Sequence, residues 1–288
     1  MPAIPLPVST GPRFQFMTPL LSPAMLDGQS AEQELMAQYE TRVAGDGRRH
    51  FRKFASPADQ LRAEAEGLAA LAASGAVHTP GVVSLGAGEL VTEYIEAGAD
   101  SDEGWAELGR QLAALQSIEQ PCFGFASDNY CGDTPQPNPR LDDGYEFFAS
   151  YRLAYQGRLA ADAGLLESDD LNRLDRLCQQ LPSLVPHQPP VLLHGDLWRG
   201  NVLFDAAGRA VLIDPACYWG WAEADIAMTT LFGGFGFQFY ESWVEAAQPE
   251  PGWRERLPLY NLYHLLNHLN LFGRSYLGGV REVLARFT

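Results

Sequence analysis

The sequence predicts an α/β (α+β) protein of two lobes, a small antiparallel sheet with one helix followed by a larger, mainly helical part. Three observations carry this reading. Extended segments bounded by glycine and proline crowd the early chain, the small-residue run Ala97 to Ser101 interrupts them, and apolar residues then recur at spacings of three and four. The boundary is drawn at that run, giving an N-terminal lobe over 1–95 and a C-terminal lobe over 96–288. With 288 residues and 46% hydrophobic content, the chain has material for a core of that size.

Residues 1–30 carry Pro2, Pro5, Pro7, Pro12, Pro19 and Pro23 with little periodicity and read as an irregular arm. Segments 34–44 and 48–55 read as the strands of a hairpin turned by Gly45-Asp46-Gly47. Ser56 can cap the next helix, Pro57 suits its first turn and Asp59 completes a Ser-x-x-acid capping box, so a helix is expected to about Ser74. Extended pieces follow at 82–85 and 89–95. Helices are expected at 103–118, 143–163 and 169–181. Between the first two lies 119–142, rich in Pro, Asn and Asp, an irregular stretch of the length that is usually functional or pinned by side chains. A hairpin is expected over 191–214, turning at Ala206-Ala207-Gly208, and then helices at 222–232, 235–247 and 253–272. The last has Leu262, Leu265, Leu266, Leu269 and Phe272 as a buried stripe, with Asn261, His264 and His268 on another face.

The formal charge of −16 opposes binding to nucleic acid or anionic membranes, and no basic block is longer than Arg48-Arg49. An anionic ligand would need a metal, backbone N–H groups and a few chosen cations. Cys122, Cys131, Cys178 and Cys217 show no CxxC spacing, and no apolar run approaches the roughly 20 residues that span a bilayer. A soluble cytoplasmic protein with reduced, structural cysteines is expected.

The chemistry is concentrated in His194-Gly195-Asp196-Leu197-Trp198-Arg199-Gly200-Asn201, between the apolar runs 191–193 and 202–204, and in Ile213-Asp214-Pro215. An acid, an amide and a second acid at these spacings suit Mg²⁺-dependent phosphoryl transfer. Asp196 would receive a hydroxyl proton while Asn201 and Asp214 turn oxygens toward a metal on nucleotide phosphates. Loop capping would explain either acid alone, but not the joint spacing with Asn201. Lys53 is the only lysine among 20 Lys and Arg residues, which points to a place where a guanidinium fork would not fit. On the following helix Glu64 shares a face with Leu61, Leu68 and Leu71, and a carboxylate there needs a partner. Glu66 faces away. A strand lysine paired with a helix glutamate is how protein kinases hold the α- and β-phosphates.

These motifs resemble the fructosamine kinase, or ketosamine-3-kinase, family, in a wider group with aminoglycoside and choline kinases. The resemblance rests on Leu193-His194-Gly195-Asp196-Leu197-Trp198-x-Gly200-Asn201 and Asp214-Pro215-Ala216-Cys217-Tyr218-Trp219-Gly220. Ala63-Glu64-Ala65-Glu66-x-Leu68, Thr134-Pro135-Gln136-Pro137-Asn138 and Leu265-Leu266-Asn267 leading to Leu271-Phe272-Gly273 agree with it, from about residue 48 to the end. It implies a protein-kinase-like two-lobed fold, ATP and Mg²⁺ as cofactors, and phosphorylation of a ketosamine at the sugar C3 hydroxyl. The substrate would be a small ketosamine or a glycated amine or protein, and the outcome a deglycation repair.

By the same resemblance Asp196 is the catalytic base, Asn201 and Asp214 are the metal ligands, Lys53 contacts ATP phosphates and Glu64 orients it. The backbone around Glu93, Tyr94 and Ile95 forms the adenine hinge, and His194 braces the loop. Trp198 offers an apolar face to a sugar ring, with Trp219 and His268 as further substrate contacts, although buried aromatics are more often core. For the glycine-rich phosphate cover the sequence offers Gly28, in Asp27-Gly28-Gln29-Ser30, a departure from the family pattern. Glu223 and Asp225 open a helix, where the dipole alone stabilises acids. His264 and His268 stand at i and i+4, but Leu265 replaces the glutamate a zincin requires, so no zinc helix is assigned. Two other readings stay open: a kinase for an aminoglycoside, choline or similar amino alcohol, and a kinase-like binding module without efficient turnover.

Overall fold

The computed structural model describes residues 39–43, 47–54, 58–86 and 88–288. The expected arm, the Gly28 segment, most of the Gly45-Asp46-Gly47 turn and the Ser56-Pro57 cap lie outside the described residues.

Strands β1 (Tyr39–Val43), β2 (Arg49–Phe54), β3 (Val82–Gly86) and β4 (Glu89–Glu93) form an antiparallel sheet in the order β1-β2-β4-β3. Lys53 on β2 stands opposite Tyr39 and Leu90. Helix α1 (Ala58–Ser74) buries Leu61, Ala65, Leu68 and Leu71, and Leu61 and Ala65 cluster with Leu90 of the sheet. Its apolar stripe therefore holds the helix against the strand beside Lys53.

Past the small-residue run, Ser101 caps α2 (Asp102–Gln116) by accepting the Gly104 N–H at 3.1 Å. The stretch 119–142 is not irregular throughout, because β5 (Asn129–Cys131) and β6 (Thr134–Gln136) make a short hairpin within it. Buried amides pin this hairpin. Gln136 Nε2 donates to Asn129 Oδ1 (2.8 Å) and to the Ala216 carbonyl (3.1 Å), and Asn129 Nδ2 donates to the Cys217 carbonyl (2.6 Å). Amides this deeply buried are tolerated because each finds a partner, and the result ties the loop to the segment after Asp214.

The helix expected over 143–163 is interrupted. Residues α3 (Gly144–Phe148) pass into a π-helical turn, Ala149–Leu153, and then into α4 (Ala154–Asp162). The turn directs Arg152 inward, fully buried, with its guanidinium over Tyr218 (4.1 Å) and Phe147 (4.6 Å) and donating to Asn138 Oδ1 (2.6 Å). Helix periodicity does not report a single wide turn, so this register change was invisible to pattern reading.

Helix α5 (Ser168–Leu184) follows, then β7 (Val191–Leu193). The single hairpin expected over 191–214 resolves into two pairings. Strand β8 (Val202–Phe204) pairs with β9 (Ala210–Leu212), whereas β7 pairs with β10 (Tyr218–Gly220), leaving 194–201 as the loop between β7 and β8. Helices α6 (Glu223–Leu231), α7 (Phe237–Ala247) and α8 (Trp253–Phe272) complete the mainly helical part, with α9 (Leu277–Phe287) as a further helix. The main core runs through this part, with Leu108, Leu112, Leu193, Ile226, Leu262 and Leu266 buried.

Candidate active site

Cleft between sheet and helices. Lys53, Glu64, Thr92, Glu93, Tyr94, Ile95 and Asp214 line one cleft of about 450 Å³ including its mouth, with Phe51, Leu68, Leu90, Leu203 and Ile213 supplying apolar walls. Lys53 Nζ donates to Glu64 Oε2 at 2.6 Å and to Asp214 Oδ1 at 3.1 Å. Burial works against the ammonium, but Asp214 and Glu64 outweigh it and hold Lys53 well above the ordinary lysine range. The same ammonium outweighs burial at Asp214 and holds that carboxyl below the ordinary range. Asp214 has φ of 50°, a left-handed conformation costly for a side chain other than glycine. Along Glu93 to Ile95, the Glu93 N–H donates to the Gly81 carbonyl (2.9 Å) and the Tyr94 N–H to the Arg49 carbonyl (3.4 Å). The Ile95 N–H has no such partner among the described residues, so it can donate to a flat heterocycle.

The loop after β7 is held from three sides. Asp225, buried at the start of α6, accepts the His194 N–H (2.8 Å) and the Gly195 N–H (2.9 Å) with its two carboxylate oxygens. Gly195 has φ of 81° and a Cβ there would stand 2.0 Å from the Ala216 carbonyl oxygen, so only glycine fits. His194 is fully buried, and burial pushes its pKa down to about 4. The neutral ring donates from Nε2 to the Ile213 carbonyl (2.9 Å), which leaves Nδ1 to accept the Asp196 N–H (3.3 Å). Sequence reasoning gave Asp225 only a dipole role at a helix start. Its grip on a loop 30 residues earlier could not be read from local pattern.

Asp196 and Asn201 meet directly, with Asn201 Nδ2 donating to Asp196 Oδ2 (3.2 Å) and to the Asp196 carbonyl (2.9 Å). The amide nitrogen is thereby engaged and the Asn201 oxygen is left as an acceptor or ligand. Burial, reinforced by Asp214, pushes the Asp196 carboxyl up to about 7, in the range of a base poised near neutral pH. Two residues that the sequence reading did not bring here, Cys131 and His264, each place a ligand atom within 4.8 Å of an Asp196 oxygen.

The residues expected to meet the acceptor divide. Trp198 packs edge-on against Phe232 (6.4 Å between centroids), Phe232 lies 5.0 Å from His268, and His268 touches Phe272 and Tyr276. These rings form a wall running from the Asp196 loop to the end of α8. Trp219 is elsewhere. Its ring packs on Phe125 and under the Arg140 guanidinium, and it lines a separate cavity with Leu115 and Leu192 that includes neither Asp196 nor Asp214. Alternation along β10 explains this, since Trp219 faces opposite to its buried neighbours Tyr218 and Gly220.

A strand lysine bridged to a helix glutamate and to Asp214, with the Asp196–Asn201 pair beside them, defines a phosphotransferase of the two-lobed, protein-kinase-like class that uses ATP. The fructosamine kinase family model matches residues 29–288, and the chain belongs to that family. A Synechocystis protein assigned as a ketoamine kinase is 42% identical over 229 residues, covering 78% of this chain and 77% of its own length. The chloroplastic protein-ribulosamine 3-kinase of Arabidopsis thaliana is 38% identical, covering 72% of this chain and 64% of its own. A crystal structure from Thermobifida fusca, assigned as a fructosamine-3-kinase, superposes with a TM-score of 0.80 at 32% identity, over 90% of this chain and 98% of its own. Among the described residues no helix is long and apolar enough to cross a membrane.

Proposed function

We propose that this chain transfers the γ-phosphoryl group of ATP to the C3 hydroxyl of a ketosamine, free or carried on a glycated protein, and so initiates its removal. The observation that carries the reading is Asp196, a half-buried carboxylate bonded to Asn201 and raised toward neutrality by burial and by the nearby Asp214.

Lys53 holds the phosphates, positioned by its bond to Glu64, and the Glu93 to Ile95 backbone receives the adenine. Asn201 and Asp214 fit a hard divalent cation, because both offer oxygen and the Asn201 nitrogen is already committed to Asp196. Mg²⁺ on those oxygens would offset charge on the phosphates. Asp196 accepts the C3 hydroxyl proton as the new P–O bond forms and the bond to the bridging oxygen of ADP breaks. Trp198, Phe232 and His268 seat the sugar, while Trp219, facing another cavity, takes no part. The unpaired cysteines agree with a reducing cytoplasmic setting.

An ATP-consumption screen with Mg²⁺ across ketosamines, aminoglycosides and choline, with a no-acceptor control, tests this. Turnover with a ketosamine that falls at least a hundredfold in folded Asp196→Asn protein is expected. Equal turnover with choline or an aminoglycoside, or near-normal activity of Asp196→Asn, overturns it; nucleotide binding with no turnover identifies a binding module instead.

A further inference from the structure

We propose that Cys131, Asp196 and His264 form a site for a borderline-soft divalent cation, Zn²⁺ above all, that captures the Asp196 carboxylate and blocks the acceptor side. Cys131 ends β5, Asp196 lies in the loop after β7 and His264 sits on α8, and one ligand atom from each lies within 4.8 Å of the others. Four-coordinate zinc with one sulfur, one nitrogen and one oxygen ligand holds those atoms roughly 3.4–3.6 Å apart, so from separations within 4.8 Å the three must draw in by at most about 1.4 Å. A second observation points to a ligand. His264 is 4% exposed, yet its Nδ1 has no hydrogen-bond partner among the described residues, a costly condition for a buried ring.

The surroundings fix the three groups. Asn267 Nδ2 donates to the Cys131 carbonyl (3.1 Å), and Asn201 steadies one Asp196 oxygen. His268, one turn further along the helix, is not a member of the trio, and its Nδ1 is engaged by the His264 carbonyl (2.8 Å). The site is therefore not a two-histidine helix site but one assembled from three separate elements. A thiolate and a carboxylate balance a dication, so the complex is neutral and tolerable in a buried place. The Cys131 thiol proton passes to solvent as the S–metal bond forms, and the imidazole keeps its charge unchanged. Sulfur and imidazole ligands select against Mg²⁺, which prefers all-oxygen octahedral sites, so this site and the Asn201–Asp214 pair take different ions. The binding limb stands on geometry alone. The inhibition limb rests on the proposed kinase reading.

The test uses the full chain in excess Mg²⁺ without nucleotide, titrated with Co²⁺ as a spectroscopic probe and then with Zn²⁺. One Co²⁺ per chain is expected, with a sulfur-to-cobalt charge-transfer band that Zn²⁺ displaces. Cys131→Ser should lose the band and weaken zinc binding at least tenfold, and His264→Asn should keep the band while weakening zinc to a similar degree. An unchanged band in Cys131→Ser, or unchanged zinc affinity in folded His264→Asn, overturns the site. In turnover assays zinc should compete with the ketosamine and not with ATP, and Cys131→Ser should lose that sensitivity relative to its own zinc-free rate. Zinc binding without ketosamine turnover would sink the kinase reading and leave the site, whereas turnover without zinc binding would do the reverse.

Discussion

Replacing Lys53 by Met keeps the side-chain stem and removes one charge from a part-buried trio. In the native protein a single ammonium lies 2.6 Å from Glu64 and 3.1 Å from Asp214. All three side chains are largely withdrawn from water, at 18%, 14% and 26% exposure. Breaking a buried ion pair by deleting one partner costs about 3 kcal/mol or more, because the other charge stays behind. For a chain of this size that is a drop of roughly 6–12 °C in Tm. The loss depends on pH, and its sign follows from the survivors. Burial already raises the Glu64 carboxyl to about 7 against the pull of Lys53, and with Lys53 gone its repulsion with Asp214 raises it further above its unfolded value. A raised carboxyl destabilises the fold increasingly as pH climbs from the unfolded pKa to the folded one, so the deficit is full at alkaline pH and shrinks as pH falls and Glu64 takes up a proton. Calorimetric melts of wild type and Lys53→Met from pH 5.5 to 8.5, with ATP kinetics beside them, measure this. A Tm deficit that does not change with pH refutes the electrostatic account, and a kcat/KM for ATP near wild type refutes the placement of the lysine on the phosphates. Lys53→Arg should fail to restore activity, because a planar fork cannot occupy the space of a point charge between two carboxylates.

Three further outcomes are expected. A Cβ at Gly200 would meet the Trp198 ring at 1.9 Å, so Gly200→Ala should push the indole aside and raise the acceptor KM roughly tenfold or more while leaving the ATP KM unchanged; steady-state kinetics in both substrates decide. Asp225→Asn exchanges an oxygen acceptor for a donor facing backbone N–H groups and removes a charge-assisted bond of about 1.5–3 kcal/mol, so kcat should fall roughly 10–100-fold in a folded protein, and an unchanged kcat would deny Asp225 its grip on the loop. The proposed base role requires an ionised Asp196, which burial raises to about 7, so kcat/KM should rise with pH along an acid limb whose midpoint lies at or below that value. The same shift makes Asp196→Asn more stable relative to wild type as pH rises from about 4 toward 7, and a difference in Tm that stays flat across that window would contradict it.

The sequence by itself was sufficient for what depends on local order. The Lys53 strand, the Leu61–Leu68–Leu71 stripe and the loop motif from His194 to Asn201 each lie within one element, where periodicity and motif spacing are physical constraints on neighbouring residues. The family followed from five such stretches in order. The tertiary structure alone decided what depends on distant segments meeting. It paired β7 with β10 instead of with the following hairpin, bent the chain through the π turn that buries Arg152, and gave Asp225 the loop 30 residues before it. It turned Trp219 away from the site and brought Cys131 and His264 to Asp196 from segments 65 and 68 residues distant in sequence. No periodicity encodes those meetings, because they are fixed by which faces of separate elements pack together, and that choice is made by the whole core at once.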